Sequence, residues 1–374
     1  MKFQTEIGAL RKACDYILAL FFAQGIRGDR IVKFSSWVGT ISITTARGIL
    51  ASVDLESTCE IDAAEFYVSL PKFRDGLKGI RGTHARVTVE TLDSLDKVSI
   101  HCGAYAKTVK MEIPSGFNWS LFDAPIWEMK VDATFIRDLI AYNQFCEDEE
   151  ARPSMSGVRL EEKDGVVNMV VTDGYSIAYS GAGACDRGFL VPHSVIDALD
   201  KFGPVGGAAI RVMQENATKN HDRIIEVKAD GITLADRTYD KYPAWREFIS
   251  SQFAHEVTIP SYSTSTVVDN GQCWIVTNDG YFEVWVDHME PVVSLECGYP
   301  KNVFLVSCYL RYLSRAVEHC SGREFVKIGT NKNDINGPFL VSGNGRQVVV
   351  MPMELNRDKM PKNIARDYFQ ERGK

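Results

Sequence analysis

A chain of 374 residues, 45% hydrophobic and 24% charged, has the make-up of a globular protein with length for about two to four domains. Its longest apolar run, Tyr16–Ala23, is far shorter than the roughly 18 residues of a membrane span, and Met1–Ala13 has no signal-peptide core or cleavage site. The formal charge of −7 speaks against a uniformly basic nucleic-acid binder, and nine dispersed cysteines without a CxxC pair speak for reduced thiols in the cytoplasm rather than a disulfide framework.

In chain order, apolar residues at helical spacing predict a helix over Leu10–Ala23. Strands are predicted at Ile31–Phe34, Thr40–Thr44, Leu50–Leu55, Glu65–Ser69, Arg86–Glu90, Lys97–His101 and Lys107–Ile113. Asn118–Glu128 reads as a linker, and Ala133–Phe145 as the next helix. Strands Val158–Glu162 and Val166–Thr172 flank Asp164–Gly165, a strong hairpin signal, and Ser176–Ser180 follows. Gly203–Gly207 reads as a turn after a helix and Ser250–Glu256 as a second linker. Ile259–Asn270 is rich in serine, threonine and valine, poor helix formers, and its Pro260 suits only a helix start; a helix there is short, distorted or absent.

Three stretches read alike: Val68–Ile80, Leu190–Phe202 and Phe304–His319 each run from a short apolar strand straight into an amphipathic helix. Their starts lie 122 and 114 residues apart, the size of a small domain. Met169–Tyr179 and Trp274–Trp285 share a strand, a T-D-G-Y or T-N-D-G-Y turn and a second strand, and Ile41–Leu50 is a weaker copy. The pattern implies one α+β fold used three times, mostly antiparallel sheet with two helices per repeat.

The charges are segregated. Arg11 and Lys12, then Lys72, Arg74, Lys78 and Arg81, then Arg311, Arg315 and Arg323 lie on predicted helices, whereas acids concentrate at Glu147–Glu150, Glu161–Asp164 and Asp287–Glu290. Such a division suits either solvated helix faces or one positive surface. His101–Cys102 and His319–Cys320 lack a second pair at metal spacing, Glu147–Glu150 has no catalytic partner, and there is no GxxxxGK[ST] loop. No metal, cofactor or catalytic residue is expected.

Four segments in register, Arg152–Leu160 (RPSMSGVRL), Val171–Ala178 (VTDGYSIA), Tyr242–Ile249 (YPAWREFI) and Val348–Leu355 (VVVMPMEL), make the chain resemble the bacterial beta sliding clamp, the processivity subunit of DNA polymerase III. The opening Met1–Phe3 and the strand–proline–helix units at Leu70–Pro71 and Val191–Pro192 also fit, so the resemblance covers residues 1–355. It implies the DNA clamp fold, with domains at residues 1–127, 128–251 and 252–374 and an added tail from 356. It implies a head-to-tail homodimeric ring around double-stranded DNA, held without sequence preference, with no membrane association. Polymerase III and the clamp loader would dock through short peptides. The implied peptide cleft comprises Met155, Thr172, Gly174, Tyr175, Ser176, Ile177, Pro243, Phe248, Val349, Val350, Met351, Pro352 and Met353. The implied DNA-facing cations are Arg11, Lys12, Arg27, Arg74, Lys78, Arg137, Lys201, Arg311 and Arg315. The implied dimer contact sets Lys107–Met111, including Val109 and with Lys72 and Arg74 nearby, against Val293–Cys297 with Glu296.

The chain departs from the family where Ser176 and Glu354 replace arginines and Glu247 replaces a common basic residue, so the cleft keeps its apolar floor and loses positive rim. The tail Asn356–Lys374 reads as a solvated terminus, or as a segment whose Tyr368 and Phe369 fold back to the cleft. The runner-up function is a clamp-like regulatory or decoy protein that binds the same peptides without encircling DNA.

Overall fold

Among the described residues every α-helix begins at the residue after a strand, with no loop between them. Strand Lys2–Glu6 runs into α1 (Ile7–Ala23), Glu65–Ser69 into α2 (Leu70–Gly76), and Trp127–Asp132 into α3 (Ala133–Asn143). Arg187–Pro192 runs into α4 (His193–Phe202), and Leu305–Tyr309 into α5 (Leu310–Cys320). The three repeats read from sequence share this junction. The residue preceding the helix is extended in each, with φ/ψ of −66/114° at Ser69, −61/147° at Pro192 and −72/132° at Tyr309. A strand that ends in extended backbone can turn directly into helix because the first helical N–H groups need no intrahelical partner.

The structure is a computed structural model and describes residues 1–24, 26, 30–37, 39–45, 50–59, 64–92, 96–112, 125–146, 152–214, 223–239, 241–249, 253–260, 271–278, 280–286, 291–298, 305–321, 325–331 and 337–353. Arg27, Glu147–Glu150, Ser261–Asn270, Glu354 and the tail from 356 lie outside them.

The chain divides into two compact units: Met1–Ile140 with Val191–Tyr239, and Ala141–Leu190 with Asp240–Lys374. In the first, an eight-stranded antiparallel sheet runs in the order Trp127–Asp132, Gly207–Gln214, Arg223–Ala229, Ile232–Thr238, Leu50–Glu56, Thr40–Thr45, Ile31–Trp37, Glu65–Ser69. A five-stranded sheet runs Thr58–Cys59, Lys2–Glu6, Arg86–Leu92, Lys97–Cys102, Tyr105–Lys110. The helices α1 and α2 pack together, and Phe34 lies 4.8 Å from Phe66 and 4.7 Å from Phe73 at the centre of an aromatic core.

In the second unit an eight-stranded sheet runs Arg187–Pro192, Gly157–Lys163, Val166–Thr172, Ser176–Tyr179, Arg346–Val350, Phe339–Gly343, Phe325–Asn331, Phe253–Pro260. A four-stranded sheet runs Pro291–Glu296, Tyr281–Trp285, Gln272–Asn278, Leu305–Tyr309. Asp164–Gly165 turns the predicted hairpin with φ of 51° and 77°, both positive, as a tight type I′ loop requires. The central third of the sequence contributes to both units.

Several expectations change. The linker at Asn118–Glu128 ends in strand Trp127–Asp132, and the linker at Ser250–Glu256 contains the start of strand Phe253–Pro260. Pro260 closes that strand instead of opening a helix. The strand lies at the edge of its sheet, where a missing N–H breaks no essential ladder bond. The strand expected over Lys107–Ile113 begins earlier, at Tyr105 after the Gly103 turn, and runs to Lys110, with Met111 bridging to Val68; Ile113 lies outside the described residues.

Candidate functional site

The T-D-G-Y-S segment closes on itself. Asp173 Oδ1 accepts the Tyr175 N–H at 3.0 Å, the Ser176 N–H at 2.8 Å and the Ser176 hydroxyl at 3.0 Å. The Thr172 hydroxyl donates to the Ser176 carbonyl at 2.7 Å and accepts the Gly174 N–H at 3.0 Å. Gly174 sits at φ 85°, a conformation that a side chain would strain. This rigid turn presents Tyr175, 55% exposed, to solvent.

Strand Ser176–Tyr179 pairs with Arg346–Val350, setting Ser176 opposite Val350 and Ile177 opposite Val349. The chain then leaves the sheet, with the Met351 N–H on the Tyr175 carbonyl at 2.8 Å and the Met353 N–H on the Ser307 carbonyl at 2.5 Å. Val170, Ile177, Tyr179, Trp245, Leu340 and Val349 form a buried cluster, with Tyr242, Ile249, Phe253 and Met351 packed partly buried against it. Burial pushes the Tyr179 phenol up to about 12 and that of Tyr242 still further above its ordinary range. Both rings are therefore neutral packing surfaces.

Most of the residues nominated from sequence are thus brought together, but in two roles. Thr172, Ser176, Ile177, Val349 and Val350 are buried framework, and Met155 is nearly so. Gly174, Tyr175, Pro243, Phe248, Met351, Pro352 and Met353 remain accessible. Ser176, expected at a rim, is fully buried and offers none. Positive charge reaches this corner from α5 instead. Arg315 Nη1 lies 3.3 Å from Asp173 Oδ2, and the Arg311 guanidinium stands 4.8 Å from the Tyr312 ring, which stacks on Tyr175 at 5.5 Å.

Trp245 and its fastening were not foreseen. Glu161, buried in strand Gly157–Lys163, accepts from Trp245 Nε1 at 3.3 Å and Arg159 Nε at 3.2 Å, and is paired with Arg246. Arg246 also donates to the Gly183 carbonyl at 2.7 Å. This network pins the short 3-10 turn Trp245–Phe248 to the sheet. Glu161 is one of four charges in the strand GVRLEEK, and only its contact with the Trp245–Arg246 pair, far along the chain, singles it out.

The strands nominated for subunit contact are both sheet edges. Tyr105–Lys110 ends the five-stranded sheet, and Pro291–Glu296 ends the four-stranded one. Lys107 and Glu296 are exposed, whereas Val109 and Val293 are only 5% and 6% exposed, and Met111 bridges to Val68. The two valines belong to the cores of their own sheets.

No family model and no curated protein sequence matches the chain. Solved structures do. The fold is shared with the bacterial β sliding clamps. The DNA polymerase III subunit beta from Pseudomonas aeruginosa superposes with a TM-score of 0.77 at 17% identity, over 95% of this chain and 100% of that one. A DNA polymerase sliding clamp from Caulobacter crescentus gives 0.77 at 16%, and the Helicobacter pylori beta clamp bound to a DNA ligase peptide gives 0.75 at 13%, both with the same coverage.

The cations nominated as DNA-facing fall into two groups within this clamp fold. Lys12, Arg137 and Arg311 are exposed on α1, α3 and α5. Others are engaged by groups of the chain itself, whether buried or exposed. Arg11 donates to the Leu77 and Ile80 carbonyls, both at 2.5 Å; Arg74 grips Asp15 at 2.6 Å and 2.9 Å. Lys78 and Lys201 pair at the surface, with Asp75 at 2.6 Å and Asp197 at 2.5 Å; Lys72, nominated for the subunit contact, meets Glu112 at 3.2 Å. Among the described residues no group of three His, Cys, Asp or Glu is placed to hold a metal ion, and no helix is long and apolar enough to cross a membrane.

Proposed function

We propose that this chain is a DNA sliding clamp. Two copies close head to tail into a ring around duplex DNA, and the groove at Tyr175, Phe248, Met351 and Met353 holds peptides of a replicative polymerase and its loader. The observation that carries the reading is the fold match, which spans 95% of the chain and the whole length of the clamps it resembles. The three domains, 1–127, 128–251 and 252–374, would each supply one third of a subunit.

The chemistry of such a clamp is positional. Exposed Lys12, Arg137 and Arg311 would meet phosphates only, giving weak, salt-sensitive contact without base readout, which permits sliding. Ring closure would pair the unpaired edges Tyr105–Lys110 and Pro291–Glu296, Lys107 and Lys110 facing Glu296, and so remove two aggregation-prone edges. Methionines and aromatic rings give the groove an adaptable apolar surface, and the ligase peptide on the H. pylori clamp supports peptide docking here.

Primer extension on a long circular template, with polymerase and loader from the same replication system, tests the proposal. Long products should require this chain and fall to short ones with Met351→Ala, Met353→Ala. A decoy that binds peptides without encircling DNA is the second reading, favoured by the internal pairing of Arg11, Arg74, Lys201 and Arg315. It predicts a monomer in light scattering and inhibition of extension.

A further inference from the structure

A depression of about 610 Å³ lies beside α1 in the first unit. Its wall is one face of that helix, on which Ala9, Lys12, Tyr16 and Ala19 recur at three- and four-residue spacing. Phe202, at the end of α4, and Val53 and Leu55 supply further apolar lining, and the Asp230–Gly231 turn borders it. Small-molecule sites are typically roughly 300–1,000 Å³, mostly apolar and marked by a few polar groups. The aromatic part is held in place: Tyr16 meets Phe202 edge to face at 5.2 Å and donates its hydroxyl to the Ala198 carbonyl at 2.7 Å.

The charged groups around the depression other than Lys12 are held by hydrogen bonds or ion pairs, Arg11 by the Leu77 and Ile80 carbonyls. Asp15 is gripped by Arg74, Asp54 accepts the Ser42 hydroxyl at 2.6 Å, and Asp230 accepts the Gly206 N–H at 2.7 Å. Lys201 is paired with Asp197. Lys12 has no ion-pair partner among the described residues, and its ammonium stands 5.9 Å from the centre of the Phe202 ring. An apolar basin with one uncommitted cation complements a ligand with a flat apolar body and a single negative charge.

We infer that this depression binds an aromatic monoanion, a carboxylate or sulfonate, with its rings against Tyr16 and Phe202 and its charge on Lys12. The site uses neither the peptide groove nor a sheet edge; it shares Lys12 with the proposed DNA-facing set, but probe binding is read on the chain without DNA and does not depend on the clamp reading.

Fluorescence titration of the full chain with 8-anilinonaphthalene-1-sulfonate tests it, beside the uncharged N-phenyl-1-naphthylamine. One saturable site is expected for each probe. Lys12→Met should weaken the sulfonate roughly tenfold, the scale of one charge-assisted contact, and leave the uncharged probe within twofold. Ala9→Trp, introduced at an exposed position, should fill the basin and abolish both; Ala19→Trp does the same from the other end should the first variant fail to fold. The inference is overturned if the wild-type chain shows no saturable binding. It is equally overturned if folded tryptophan variants bind as wild type, or if Lys12→Met weakens both probes alike.

Discussion

Replacing Glu161 with leucine removes the acceptor on which three donor side chains converge. The carboxylate side chain is 4% exposed, Arg159 is 12% exposed and Arg246 is 36% exposed. Removing one partner of a buried ion pair costs about 3–5 kcal/mol, chiefly because the remaining charge is stranded. Arg159 bears that cost, whereas Arg246 can turn towards water and keeps its bonds to the Gly183 carbonyl. A loss of about 2–3 kcal/mol follows, between the buried and exposed limits. Urea unfolding followed by tryptophan fluorescence reads it, since Trp245 donates to the same carboxylate. A double-mutant cycle with Arg246→Met should show a coupling of about 1–2 kcal/mol. Peptide affinity should fall as well, because Phe248 rides on the turn that the network pins. A loss below about 0.5 kcal/mol, the ordinary level for a surface substitution, with additive single variants, would refute the network.

Burial among Tyr142 and Phe145, with a smaller contribution from Arg346, lowers His319 from its ordinary 6.5 to about 3. The folded group stays neutral while the unfolded one takes up a proton. Its contribution is therefore complete above pH 6.5 and is lost towards pH 3, by up to about 1.4 kcal/mol per pH unit, and His319→Phe should flatten that part of a stability–pH curve. Truncating Met351 and Met353 to alanine should weaken a polymerase-derived peptide by about 1–3 kcal/mol in calorimetry while leaving the melting temperature nearly unchanged. Reversing Lys107 and Lys110 to glutamate should raise the monomer fraction in light scattering, and adding Glu296→Lys should restore the dimer; failure of that rescue would place the subunit contact elsewhere. Val109→Asp, by contrast, should unfold its sheet rather than merely dissociate subunits, because Val109 is core.

What the sequence made legible was local. The three strand-to-helix junctions, the T-D-G-Y turn and the Asp164–Gly165 hairpin depend on neighbouring residues, and each lies where the pattern put it. Strands Lys2–Glu6 and Trp127–Asp132 were missed because short alternating runs beside a helix carry little signal of their own. The state of the cations was also hidden. Arg11 bonds to carbonyls 66 and 69 residues away, and Arg74 to an acid 59 residues away, so no local pattern records that their charges are engaged. The residues nominated for a peptide groove were legible as a set, but not which of them are surface and which support. Alternation along a strand does not say which face is covered, and Ser176 and Val350, paired across the sheet, are both buried.

Topological linkage to DNA is the property that separates a clamp from any other protein of this fold. The direct measurement is retention of the chain on a nicked circular plasmid after loading by a clamp loader, followed through gel filtration before and after a single restriction cut. A clamp co-elutes with the circle at moderate salt and is released when the circle is linearised. Retention that survives linearisation, or none on the circle while the chain still binds loader peptides, would contradict the clamp reading.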